Sequence, residues 1–194
     1  KLLEVARGLQ YLHSLEVVHG NLNSGNVLID DHGHPRISGF ENAHISDLTL
    51  PIYRGAPGRN LRYIAPEILD IRAKIKRAIG VKVFTKESDI YAFAYICLQV
   101  YSPEISWRRI PGLTARQKEL EVRPHRPEAP SLTDDVWALI ERCWAQKPED
   151  RPIIDEVVQE LTRIHTKEID SSSQESIASA LRLHVEAGTS GEGL

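Results

Sequence analysis

Apolar residues recur at helical spacing at both ends of the chain and crowd together in its middle. Leu2, Leu3, Ala6, Leu9, Tyr11 and Leu12 mark one face of a helix over about residues 1–14. Two short apolar runs, about 27–29 and 36–38, predict strands joined by a polar turn in which Gly33 can take positive φ. Residues 40–67 carry no period and read as irregular, with a short helix following over about 66–78. The run from Ile90 to Val100 is apolar almost throughout and predicts a helix buried on all sides, over about 87–101. Five prolines make 102–130 mostly loop. Ser131-Leu132-Thr133-Asp134 is a start signal for a helix over about 134–146. Pro152 suits the first position of a last core helix, about 152–164, with Ile153, Ile154, Val157, Val158, Leu161 and Ile164 as its stripe. Residues 165–194 turn to Ser, Gly, Glu and Thr and read as a disordered tail, with at most a short helix around Ile177, Leu181 and Val185.

Composition narrows the class. A hydrophobic fraction of 41% in 194 residues supports one core plus a tail. A net charge of −3 gives no basic signature for nucleic acid, and no aromatic–basic interleaving suits stacked bases. The Ile90–Val100 run is about half a membrane span, so no transmembrane segment is expected. No signal peptide is visible, and an intracellular, cytoplasmic chain is the expectation. Cys97 and Cys143, far apart in predicted helices, read as buried core thiols, with a disulfide or metal site as the alternative. The chain has no methionine and opens at Lys1 inside a helical pattern, so it reads as a fragment or an incomplete gene model. Gly188 to Gly193 lacks a strand–loop–helix context and carries no phosphate site.

One stretch carries the chemistry. His19-Gly20-Asn21-Leu22-Asn23-Ser24-Gly25-Asn26 runs into the apolar Val27-Leu28-Ile29. It resembles the catalytic loop H-R-D-L-x-x-x-N of the protein kinase superfamily. Further blocks follow in that family's order. Gly39-Phe40-Glu41 aligns with D-F-G, and Arg62-Tyr63-Ile64-Ala65-Pro66-Glu67 with R-Y-x-A-P-E. Ser88-Asp89-Ile90-Tyr91-Ala92-Phe93 is similar to the start of the family's long buried helix. Cys143-Trp144 with Pro148, Arg151 and Pro152 is similar to its C-W…P…R-P element. The last forms point to the tyrosine-kinase-like branch. The resemblance covers about 1–164 and implies a mainly α, kinase-like C-terminal lobe with a small β-hairpin. Nothing resembles the Gly-rich phosphate loop or the V-A-I-K lysine, so an N-terminal lobe is expected to be absent from these residues.

The same alignment implies lost chemistry. Asn21 stands where the family has the aspartate that accepts the substrate hydroxyl proton. A carboxamide is no base at neutral pH, and a positioned base contributes about 10²–10⁴-fold. The alternative is that Asn21 orients the hydroxyl and slow transfer persists. Gly39 stands where the family has its principal Mg²⁺ ligand. Asn26 matches a second metal contact but is a weak remnant alone, because Mg²⁺ prefers carboxylates and water. Either Asn26 caps the loop, or Glu41 supplies a carboxylate from a shifted position. Asn21, Asn23 and Asn60 match three family residues that contact one another, so a neutral amide network is one reading and independent drift the other. Gly20 removes the arginine that reads a phosphate, which leaves Thr49, Tyr53 and Tyr63 without an obvious clamp. No intact catalytic set and no metal site are therefore expected, and neither ATP nor Mg²⁺ as cofactor.

Scaffold positions are kept. Glu67 and Arg151 match a buried ion pair, Asp89 a buried aspartate capping the loop, and His19 a packing residue of the loop. Arg72, Lys74, Lys76, Arg77, Lys82 and Lys86 form a basic stretch that suits an acidic protein or membrane surface, or is a solvated helix face. The expected function is that of a pseudokinase, a non-catalytic docking or signalling module with protein partners. The alternatives are a divergent ATP-binding serine/threonine kinase and a decayed gene.

Overall fold

The computed structural model describes residues 1–46, 61–68, 84–102 and 124–189. The first helix, α1 (Leu2–Ser14), buries Val5, Ala6, Leu9 and His13 on one face. Glu4 lies in its first turn, where a carboxylate complements the helix dipole. The chain leaves α1 through Glu16, whose φ of 59° turns it into β1 (Val17–Val18).

Two small antiparallel ladders follow. In the first, β2 (Val27–Ile29) pairs with β3 (Pro35–Ile37) in the register Val27↔Ile37, Leu28↔Arg36, Ile29↔Pro35. Its turn is closed by Asp30, whose carboxylate accepts from the backbone N–H of His32 and His34 at 3.0 and 2.8 Å. Gly33 takes φ 80° there. The second ladder pairs β1 with β4 (His44–Ile45), Val17 opposite Ile45 and Val18 opposite His44. Strand β4 falls in the stretch read from sequence as irregular. Two residues give too little alternation to be seen along the chain. Its effect is to fold the segment after β3 back against the start of the 19–26 loop.

The core is built on α2 (Lys86–Tyr101), buried continuously from Ser88 to Leu98. A capping box fixes its start: Thr85 Oγ1 accepts from Ser88 N at 3.2 Å, and Ser88 Oγ bonds back to Thr85 N at 3.0 Å. Helix α3 (Asp134–Cys143) opens on a Thr133 cap to Val136 N and packs against α2. Helix α4 (Ile154–Thr189) packs against α1 and α3. Ile90, Phe93, Leu98, Ile140, Trp144 and Val157 are among the fully buried side chains. Cys97 and Cys143 are free and buried. Burial pushes both thiols up, Cys143 to about 12. Among the described residues, no helix is long and apolar enough to cross a membrane.

Two sequence expectations need correction. The last helix continues to Thr189, where a disordered tail was expected from residue 165. No Pro or Gly occurs between 165 and 187, and Ala, Leu, Glu and Arg favour helix. Two of the serines that suggested disorder bond within the helix: Ser171 Oγ donates to Glu168 O at 3.0 Å and Ser173 Oγ to Ile169 O at 2.8 Å. Ile153 precedes that helix and is 62% exposed, so it is not part of the buried stripe. Of the short helix expected over 66–78, the first turn at 66–68 is helical and the rest lies outside the described residues.

Candidate functional site

The site grows from one buried carboxylate. Asp89 sits in the first turn of α2 and is 2% exposed. Its Oδ2 accepts from His19 N at 2.8 Å and from His13 Nε2 at 3.1 Å, and its Oδ1 accepts from Gly20 N at 2.9 Å. A buried charge is tolerable only with such partners. The capped start of α2 therefore dictates the path of the loop entering at His19. His13 had no role in the sequence reading. Its signal was available, since it lies four residues after Leu9 on the buried face of α1.

His19 is used up in architecture. Its Nε2 lies 2.9 Å from Ser38 O and its Nδ1 accepts from Asn21 N at 3.2 Å. A carbonyl partner requires Nε2–H, and an N–H partner requires a bare Nδ1, so the ring holds one neutral tautomer. It also stacks at a tilt on Phe40, 5.0 Å between centroids.

The three asparagines of the loop converge on one carbonyl. Asn21 O accepts from Asn23 Nδ2 at 2.7 Å and from Asn26 Nδ2 at 2.8 Å. Asn23 also caps the short turn Ser24–Asn26, accepting from Gly25 N at 2.9 Å. The side chain of Asn21 points elsewhere, donating to Glu41 Oε2 at 3.2 Å. Asn60, the third member of the proposed amide network, lies outside the described residues, as do Thr49 and Tyr53. Tyr63 is held between Ser24 Oγ, at 3.0 Å, and Gln99 Oε1. This link from the loop to α2 was not foreseen, because nothing local to Ser24 or Gln99 signals it.

Gly39 takes φ 79° beside the loop. A Cβ there would lie 2.4 Å from Asn26 Cγ and Nδ2. The Asn26 carboxamide thus occupies the space that a side chain at 39 would need. Two side chains near Gly39 could face Mg²⁺: the neutral amide of Asn26, whose Nδ2 donates to Asn21 O, and the exposed carboxylate of Glu41. Among the described residues, no three His, Cys, Asp or Glu side chains are grouped to hold a metal.

Near the start of α2, Glu67 and Arg151 meet across 84 residues of sequence in a two-pronged pair, Nη1–Oε1 and Nη2–Oε2 both 2.8 Å. Arg151 further donates to Ala145 O and Glu87 O and lies over the Tyr91 ring, 5.1 Å from its centroid. Of the basic stretch from Arg72 to Lys86, only Lys86 is described, paired with Glu16 at 2.8 Å. Arg72, Lys74, Lys76, Arg77 and Lys82 lie outside the described residues.

Comparison with known proteins places this arrangement. The family model described as protein tyrosine and serine/threonine kinase matches residues 2–161. A dual serine/threonine and tyrosine protein kinase of Apis mellifera is 28% identical over 192 residues, covering 91% of this chain and 18% of that protein. A serine/threonine-protein kinase of Mus musculus is 30% identical over 164 residues, covering 82% and 18%. A receptor-type guanylate cyclase of Caenorhabditis elegans is 27% identical over 180 residues, covering 85% and 14%. The chain spans less than a fifth of the length of each of these relatives.

Proposed function

This chain belongs to the protein tyrosine and serine/threonine kinase family, and from that premise we propose that its own part is non-catalytic. It is the C-terminal lobe of a pseudokinase, of the tyrosine-kinase-like branch, serving as a docking or allosteric module in signalling. The observation that carries this reading is the state of the loop. Asn21 directs its amide to Glu41, Asn23 and Asn26 donate to the Asn21 carbonyl, and Gly39 offers no ligand. A transferring site needs a base for the hydroxyl and a carboxylate for the metal. Two different steps have each lost their group, whereas the buried pairs that hold the fold are complete. The likeness to a protein named as a receptor-type guanylate cyclase supports the same view, since the shared stretch does not by itself dictate phosphotransfer. On this reading neither ATP nor Mg²⁺ is a resident cofactor. Partners meet the chain at the face around residues 40–67 or along the basic Arg72–Lys86 stretch.

Thermal unfolding of the longest native form, with and without ATP and Mg²⁺, tests the reading. A ligand at a hundredfold excess over its Kd stabilises by about 2.7 kcal/mol. No shift in a cooperatively unfolding protein is the expected result. A Mg²⁺-dependent rise in Tm would overturn it in favour of a divergent ATP-binding kinase, with Glu41 as the first residue to test as substitute ligand.

A further inference from the structure

Three glycines of the described chain take positive φ: Gly20 at 70°, Gly33 at 80° and Gly39 at 79°. Their surroundings differ. Around Gly33 an added Cβ would meet nothing within 4 Å. At Gly20 it would come within 3.0 Å of the Asn42 carbonyl oxygen. At Gly39 it would fall inside the Asn26 carboxamide, 2.4 Å from Cγ, 2.4 Å from Nδ2 and 2.6 Å from Oδ1. All three atoms of the group are too close, so spinning the amide about its own axis relieves nothing. Only swinging the whole side chain away would make room, and that breaks the bond from Nδ2 to Asn21 O. Nor can the backbone of Asn26 retreat. Its carbonyl accepts from Ser38 N at 2.8 Å and Ser38 Oγ at 3.1 Å, and its N–H donates to Asn23 O at 3.0 Å.

We infer that Asn26 and Gly39 form an interlocked pair that shuts the gap between the 19–26 loop and the turn after β3. The amide fills the volume over Gly39 while tethering Asn21, so each residue dictates the other. The bond to Asn21 uses Nδ2, so the pair offers a cation at most one neutral amide oxygen, a poor site for Mg²⁺, and a carboxylate introduced at position 39 alone would not fit beside Asn26. The consequence deepens the non-catalytic reading and rests on it only in naming Mg²⁺. The lock itself is a statement about two side chains and is tested without nucleotide.

The test is a double-mutant cycle on the full chain, read by urea unfolding, with Gly33→Ala as the internal control. Gly33→Ala reports left-handed backbone strain alone, about a fivefold to thirtyfold fall in the folding equilibrium constant. Gly39→Ala carries the same strain plus the displacement of the Asn26 amide from Asn21 O, and is expected to fall about twofold to tenfold further than Gly33→Ala. In the Asn26→Ala background, the added effect of Gly39→Ala should return to that of Gly33→Ala. Equal effects of Gly39→Ala in both backgrounds would overturn the lock. If Gly39→Ala does not fold, cooperative unfolding regained in the double variant supports the lock, and a double variant still unfolded when Asn26→Ala folds overturns it. The poverty of the cation site is read separately with Mn²⁺ alone. Paramagnetic broadening centred on the Gly39 and Asn26 amides of the native protein would overturn it, and none is expected.

Discussion

Two regions joined through Asp89 treat charge in opposite ways. Around Asp89 and Arg151, full charges are buried and answered in detail, by three donors in one case and by a two-pronged carboxylate, three carbonyls and a ring in the other. In the loop from His19 to Asn26, which these charges support, every polar side chain is neutral. Its one nearby carboxylate, Glu41, is exposed. The difference teaches where substitution is free. An ion buried with its partners cannot lose one of them cheaply, because the other is left uncompensated. A group at the surface of a cleft, facing ligand rather than protein, can be neutralised without injury to the fold. The pattern of buried charges and neutral amides thus separates what holds this domain together from what lines its loop.

The largest effect is expected where the comparison is sharpest. Glu67→Ala leaves a guanidinium whose side chain is wholly buried facing three carbonyls and no counter-charge, and should cost about 3–5 kcal/mol in urea unfolding. A loss below about 1 kcal/mol would mean that the pair is ornamental and that the scaffold side of the comparison is wrong. Asp89→Asn comes next. It weakens three bonds to a charged acceptor and presents an amide to backbone donors, so about 2–3 kcal/mol is expected. Amide exchange at His19 and Gly20 should quicken in that variant while the ends of α3 are unaffected. Equal quickening everywhere would show that Asp89 holds the whole fold rather than the loop.

Much of this was legible along the chain, for a reason the same physics supplies. Helices α1, α2 and α3 announce themselves because burial imposes a period or a continuous apolar run. The Glu67–Arg151 pair is visible through the sequence blocks around it. What escaped depends on contacts between distant residues of no special type. The pairing of Val17–Val18 with His44–Ile45 is too short to alternate. The Ser24–Tyr63–Gln99 link joins three residues, each ordinary in its own surroundings. The Asn26 carboxamide over Gly39 was open between a cap and a metal remnant until its direction was seen. The helix beyond residue 164 was missed because serine counts against helix on average, yet here bonds back to the preceding turn.

A smaller effect probes the neutral side of the comparison. Asn21→Asp replaces a donor with a carboxylate facing Glu41 across what is now a 3.2 Å hydrogen bond. Like charges at that range repel, and solvent at Glu41 limits the cost to about 0.5–1 kcal/mol. Added salt should relieve it. No phosphotransfer is expected, since the Gly39 position still lacks a ligand. Stabilisation by this substitution would show that the loop retains a place for the charge it has lost.

The smallest expected effect belongs to the exposed charges, which form a third case between the two. Glu4 is held below its ordinary value by the His34 side chain, Glu16 by Lys86, Asp30 by the backbone N–H of His34 and Asp135 by Lys167. Each depressed carboxyl adds stability that is complete above its unfolded value, 4.5 for Glu and 3.8 for Asp, and is lost as pH falls through the lower folded value. These pairs clip α1 to the hairpin, the end of α1 to α2, the turn to itself and α3 to α4. All are solvated, so their share should be slight and should shrink further with salt. Lys167→Ala should therefore move the urea midpoint little at pH 7, and the difference from the native protein should vanish once Asp135 is protonated. If Lys167→Ala costs as much as Glu67→Ala, burial is not what ranks the charges of this molecule. The contrast between its loop and its scaffold would then need another cause.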